Sequence, residues 1–379
     1  MYNMSVRGIS MIKVNLENYK ENKQYLLLFD VLIKQVANNK DIFLEDINIT
    51  PSSYRRAKTS EQNIGEYIVN KLCEFFDIKK VSQAEIDKYQ MFLNKIYYEY
   101  YYSLNDNTLY ILGKLDELIN EKNSFYPIFM LFKLLFTLIS NNNQSIIMNE
   151  NEYLYEEVIK YKSYFNDDLL DILSHVEILF DKDFVNKKIY LDNKNGITYY
   201  IVSSKYLQEN KYIESLYYAQ KAKELFINDE NYKKIAQVNF NIMSCFCFLN
   251  NFEKYYDLAY TQYYSLSAFN EYSELKDQAS KHYAISLIAL KKYEELEYVY
   301  KHKTDLTFTE VLCLLIARKY INKKEFQKYL INVQEVLKDD YRLEILNNVC
   351  DYLNKNDKKT IKKFDKKIHE NLFYVLKQQ

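Results

Sequence analysis

Glycine and proline are almost missing from this chain: four and two residues respectively among 379, with no tryptophan at all. A sequence so poor in helix breakers, and in residues for special backbone geometry, excludes turn-rich β-architectures and collagen-like or loop-dominated folds. It predicts an all-α protein with short connections. Five scattered cysteines give neither a disulfide framework nor a zinc spacing, and Cys245 and Cys247, two apart on an expected helix, face different sides. Four histidines (His175, His282, His302 and His369) stand far apart without a carboxylate or cysteine partner in a motif. Gly-rich phosphate loops, HExxH and nucleophile elbows are likewise missing, so nothing here asks for an enzyme, a cofactor or a metal. No secretory signal is read, because the apolar run Tyr25 to Ile33 is interrupted by Asp30 and lacks a small-residue cleavage site. The most apolar window, Tyr126 to Ile139, is too short to span a bilayer and contains Lys133. A soluble, cytoplasmic chain is expected.

The net charge is −1, which removes any general attraction to polyanions and leaves nucleic-acid contact to a local patch. Forty tyrosines accompany abundant Lys, Asn and Ile, the usage of an AT-rich genome, and read as large half-buried helix knobs with a wet hydroxyl.

The densest local signal lies in Ile47 to Ile78. Two of the five arginines, Arg55 and Arg56, adjoin there, one turn after Thr50-Pro51-Ser52-Ser53. Thr50 suits an N-cap and Pro51 the first helical position, so a short helix starts with a polar and basic front. Upstream, Phe43, Leu44 and Ile47 form a short apolar face, and Asn48 can take the left-handed conformation of a tight inter-helix turn. Tyr54 and Ala57 are expected inward; Ser52, Ser53, Arg55, Arg56 and Lys58 outward, with Lys71, Lys79 and Lys80 in support. Ile68, Val69, Leu72, Phe75 and Phe76 recur at helical spacing after the polar loop Thr59 to Gly65 and close a small core, with Tyr25 to Val36 as the first helix. A bundle of four or five helices over 20–80 results.

From Asn48 to Ile78 this order resembles the Cro/cI-type helix-turn-helix family, departing from it where Leu44 replaces a small Ala and Asn48 a Gly. The resemblance implies DNA contact by Ser52, Ser53, Arg55, Arg56 and Lys58.

Beyond Val81 the chain becomes periodic. Residues 84–104 form one long helix, and then a turn with an aromatic recurs at Tyr212, Phe252, Tyr293 and Phe326, spaced by 40, 41 and 33 residues. That is the signature of stacked two-helix repeats. Residues 210–225, with Tyr212, Ser215 and Ala222 in place, resemble the second half of a tetratricopeptide repeat, while Tyr255 and Leu296 replace the small residue in later, degenerate copies. The fold class expected is thus all-α, a helix-turn-helix bundle followed over 81–379 by a right-handed α-solenoid. Two or three fainter hairpins are expected in 105–195, and helices near 341–354 and 358–377 would cap the array.

Counting back from the turn aromatics places Tyr200, Ser204 and Gln208 on the concave face of the first repeat. Gln237, Asn241 and Ser244 follow in the second, and Gln278, Lys281 and His282 in the third; Asn239 is turned away. Amides and hydroxyls of this kind can hold the backbone of an extended peptide. The whole architecture resembles the peptide-pheromone receptors of low-GC Gram-positive bacteria and their phages (the Rap/Rgg/NprR/PlcR/PrgX group). That resemblance implies a cytoplasmic homodimeric transcription regulator on a palindromic double-stranded operator, switched by a short peptide in the solenoid. It also implies the alternative: a Rap-like protein-interaction module that binds a response regulator or another protein and no DNA, with Gln35 its one candidate for promoting dephosphorylation. A plain tetratricopeptide scaffold is the third reading.

Overall fold

The computed structural model describes residues 14–59, 64–102, 108–140, 144–180, 195–268, 273–338, 340–355 and 366–378. Among them the regular elements are nineteen α-helices and two short 3-10 turns, with one isolated bridge between Lys79 and Asn123 and no strand. The fold class is all-α. Two compact units meet in sequence at Ile201 and Val202.

The first unit begins with α1 (Asn22–Val36), α2 (Lys40–Asp46), α3 (Pro51–Thr59) and α4 (Ile64–Phe76). These four pack together over Leu26, Phe29, Leu44, Ile49, Tyr54, Ala57, Ile68, Val69 and Leu72, all buried. Phe29 and Phe76 stack at 5.8 Å. Phe75 departs from the expected core: it is 53% exposed, set edge-on to Phe43 at 5.1 Å. One helical step of 100° carries it past the edge of the apolar stripe that Leu72 and Phe76 occupy. Most of the polar loop after Thr59 lies outside the described residues.

α5 (Gln83–Tyr102) follows and packs on α7 (Tyr126–Ser140), where Tyr89 meets Phe129 edge-on at 5.1 Å. α6 (Thr108–Asn120), α8 (Gln144–Lys160) and α9 (Asp167–Phe180) complete a run in which α7 packs on all three. Much of 181–195 in the expected hairpins lies outside the described residues.

α10 (Gly196–Gln208) spans the point of division. The second unit continues with α11 (Tyr212–Asn228), α12 (Tyr232–Phe248), α13 (Phe252–Ser267), α14 (Ser273–Ala289), α15 (Tyr293–Tyr300), α16 (Phe308–Ile321), α17 (Lys323–Val336), α18 (Arg342–Lys355) and α19 (Lys366–Gln378). From α11 to α17 each helix packs on the next, and α12, α14 and α16 also pack on one another in succession. Small or slim residues allow the close approach: Ser215, Ala219, Ala222, Ala236, Ala259, Ala279 and Ala284 are all buried.

The scarcity of glycine shows in how the helices end. Asn48, Asp77, Asn210, Glu230, Asn250 and Lys291 all take φ between 52° and 60°. Each sits where the amide of the next residue bonds back five residues, as Ile49 does to Leu44 (2.7 Å), Lys211 to Tyr206 (2.9 Å), Asn251 to Phe246 (2.9 Å) and Lys292 to Leu287 (2.9 Å). This is the Schellman ending, normally given to glycine, carried here by side chains that pay a steric cost for it. Tyr212, Phe252 and Tyr293 each open a helix two residues after such a turn. Phe326 breaks the register: Asn322 before α17 is extended (φ −151°) and caps the amides of Lys324 and Glu325, which leaves Phe326 as the fourth residue of its helix.

Candidate functional site

α3 is set by its two ends and its inner face. Thr50 accepts from the Ser53 amide at 3.3 Å and donates its hydroxyl to Ser53 Oγ at 2.8 Å; Pro51 is the first helical residue. Asn48, at φ 57°, makes the turn from α2, and Lys71 Nζ donates to its carbonyl at 3.1 Å. Tyr54 anchors the helix inward, donating to the Leu26 carbonyl at 3.0 Å and to Asp30 at 2.8 Å.

Of the residues expected outward, Ser52, Arg55 and Arg56 are exposed and Ser53 is half-buried under the cap. Arg55 donates to Asp41 of α2 at 2.7 Å, in a pair open enough to solvent that it holds the side chain only weakly. Lys58 does not extend outward. It turns back to Asp30, which it shares with Lys40 and the Tyr54 hydroxyl, while Lys40 also lies 4.2 Å over the Tyr54 ring. Burial alone raises the Asp30 carboxyl, but the bonds from Lys40, Lys58 and Tyr54 outweigh it and hold the group below the usual carboxylate range. The supporting lysines are also engaged: Lys79 with Glu85 at 2.9 Å, Lys80 with Glu66 at 3.7 Å. Among the described residues Arg56 and Lys71 have no ion pair, and Lys71 is bonded to the Asn48 carbonyl. The neighbouring α2 brings Asp41, Glu45 and Asp46, so the surface around α3 is of mixed sign.

The polar positions of the repeats divide into spent and unspent groups. Tyr200 is half-buried and belongs to the first unit. In the second unit Asn241 donates to Ser204 Oγ at 2.9 Å and to Ser203 Oγ at 3.3 Å; Ser203 in turn meets Ser215, and Cys245 meets Ser215 at 3.3 Å. This seam ties α10, α11 and α12 together. Asn239 faces the other way, as the frame required, and bonds Gln262 at 2.8 Å. His282 is packed rather than displayed: its ring stacks on Phe240 at 5.5 Å and its Nδ1 lies 3.1 Å from the Tyr255 hydroxyl, where burial pushes it down to about 4. Gln237 of α12 and Gln278 and Lys281 of α14 are half-buried, with the Gln237 Oε1 enclosed and without a partner among the described residues; Gln208 is exposed.

Sequence reasoning missed the occupant of part of this face. α19 packs on α12 and α14 through Leu372, Phe373, Val375 and Leu376. Asn371 Nδ2 meets Ser244 Oγ at 3.2 Å, and the Tyr374 hydroxyl donates to the Phe248 carbonyl at 2.8 Å. The apolar spacing of Leu372, Phe373, Val375 and Leu376 was the available signal: it demands burial without saying against what.

Elsewhere an open depression of about 480 Å³ between the ends of α4 and α6 is lined by Glu74, Asp77, Lys79, Glu121 and Lys122, charges of both signs. Among the described residues no His, Cys, Asp or Glu cluster could hold a metal ion, and no helix is long and apolar enough to cross a membrane. The five cysteines are buried, Cys73 and Cys350 pushed up to about 11 by desolvation. No protein-family model, curated protein or solved structure matches the chain.

Proposed function

We propose that this chain is a cytoplasmic DNA-binding transcription regulator of the kind its sequence resembles, with a right-handed tetratricopeptide-like solenoid that takes a short signalling peptide. One observation carries the DNA reading: α2 and α3 are joined through Asn48 in the left-handed conformation, with Ser52, Arg55 and Arg56 on the free side of α3. A helix so presented can enter a major groove with its first two turns, and a homodimer would set two of them one helical turn apart on a palindromic operator. Succession of α12, α14 and α16 supports the solenoid reading. For the peptide, the unspent amides Gln237 and Gln278 are the support.

A second reading has its own observation. With Lys58 held by Asp30 and Arg55 by Asp41, the mixed charge of the α2–α3 surface also suits a protein partner. Fluorescence anisotropy on DNA from upstream of the gene separates the two. The native chain should bind saturably and the Arg55→Ala/Arg56→Ala variant should not; if both arginines meet phosphates, the slope of log affinity against log salt falls by roughly two units. Equal, weak binding by both proteins refutes the DNA reading and leaves the protein-interaction module.

A further inference from the structure

The chain just ahead of α1 is held in an unusual way. Val14 and Leu16 are buried to 1% and 0% exposure and Asn15 between them faces out, and Leu16, at φ −102° and ψ 9°, leads into the 3-10 turn Glu17–Lys20. Its backbone is gripped by two carboxamides one turn apart on α5. Asn94 accepts from the Val14 amide at 2.8 Å and donates to the Val14 carbonyl at 3.0 Å; Gln90 accepts from the Leu16 amide at 2.9 Å. From the other side Asp168 accepts from the Asn15 amide at 2.9 Å and Asn166 donates to the Asn15 carbonyl at 2.6 Å. All three main-chain amides of the segment, and two of its carbonyls, therefore end on side chains of residues 74 to 153 positions away.

A segment anchored only as core needs its apolar side chains covered and its backbone satisfied by any means, usually local turns or water. Here a matched set of donors and acceptors is set on α5 and at the start of α9, two helices that both pack on α7, and it reads a peptide backbone without reading most of its sequence. Selectivity is left to the two buried apolar side chains, Val14 and Leu16. Such a cradle is chemically a peptide receptor whose resting occupant is its own chain.

We propose that the cleft formed by Gln90 and Asn94 of α5 with Asn166 and Asp168 is a binding site for a free peptide carrying two apolar residues around one polar residue, and that residues 14–16 occupy it in cis. The site lies wholly in the first unit and does not depend on DNA binding or on a ligand in the repeats.

The probe is a fluorescein-labelled pentapeptide KVNLE, with KSNSE as control. A Val14→Ser/Leu16→Ser variant keeps the cleft but removes the two anchors that fill it. It should bind KVNLE at least tenfold tighter than the native chain, whose own segment competes, and adding Asn94→Leu should reduce binding to the level of KSNSE. A variant with native circular dichroism that binds the two peptides equally overturns the proposal. Should the variant fail to fold, amide exchange on the native chain decides: saturating KVNLE must speed exchange of the Val14 and Leu16 amides several-fold, and unchanged rates overturn it. Concentration-dependent self-association of the native chain that depends on Val14 and Leu16, without capture of free KVNLE, also overturns it, since the ligand would then be a second copy.

Discussion

Lowering the pH from 7 to 5 should loosen the first unit through one imidazole. His175 of α9 is fully buried, its Nε2 3.1 Å from the Thr198 hydroxyl, its Nδ1 without a partner among the described residues, and its ring 6.3 Å from that of Tyr100. Desolvation pushes it from 6.5 down to about 4. The sign follows from which state takes the proton. Unfolded chains protonate below 6.5 while the folded one resists until about 4, so stability is complete above 6.5 and is lost as the pH falls between those values. At 1.36 kcal/mol per unit the ceiling is about 3.4 kcal/mol, of which about 2 kcal/mol falls between pH 7 and 5.

Other groups nearby act elsewhere on the scale. Asp171, raised by its own burial and by Asp168 and Asp167, gains stability for the folded state on protonation, but only near the carboxylate range. Asp30, held low, loses stability below that range again. Among these groups of the first unit the window from 7 to 5 therefore reports His175, while His282 of the second unit titrates in the same window and is told apart by the peptides in which exchange is read. Urea titrations at pH 7, 6 and 5, read by amide exchange in peptides from α5 and α9, should show the loss of about 2 kcal/mol in the native chain. A His175→Gln variant keeps a polar group toward Thr198 and cannot titrate, so its curve should be flat to within about 0.5 kcal/mol across the window. Parallel curves for the two proteins would refute the reasoning. His282, also pushed to about 4, predicts the same sign in peptides from α14.

Two further outcomes follow from the interior and the turns. Glu230 and Lys291 hold left-handed φ of 53° and 57°, so Glu230→Gly and Lys291→Gly should each raise stability by about 0.5–1 kcal/mol in thermal melts, whereas Asn48→Ala should lower it. Glu310, wholly buried, accepts from Lys303 at 2.8 Å, from the Thr307 amide at 2.5 Å and from Ser280; Glu310→Ala should cost about 3 kcal/mol, the low end for a broken buried pair because Lys303 can still reach water.

What could be read in the chain was local. Asn48 in the turn, Pro51 opening α3, and Tyr54 and Ala57 facing inward all depend on neighbours within a few residues, and those readings survive in the structure. The turn aromatics Tyr212, Phe252 and Tyr293 survive for the same reason, because the residue two positions earlier takes the same backbone conformation each time. Phe326 fails because Asn322 caps its helix from an extended conformation, a choice the aromatic spacing does not report. Lys58 departs from its expected outward position because of a partner on another helix, Asp30 at 28 positions' distance. Amphipathic pattern says that a side chain is inward or outward; it is silent on which long flexible cation will bend back to a carboxylate.

The same distinction bears on how a ligand in the repeats would act. An amide that merely lines a groove can bind a peptide without altering the protein, and binding equal in two states shifts nothing. Asn241 is different, because its Nδ2 already joins α12 to Ser203 and Ser204 of α10. A peptide that claimed that amide would have to break the seam, at a cost of about 1 kcal/mol per neutral hydrogen bond, and in doing so release α10 from α12. Gln278, with no bond to give up among the described residues, would contribute affinity alone. Holding and switching would then fall to different residues of one face: the unspent amides set how tightly a peptide binds, and the spent one sets whether the helices notice.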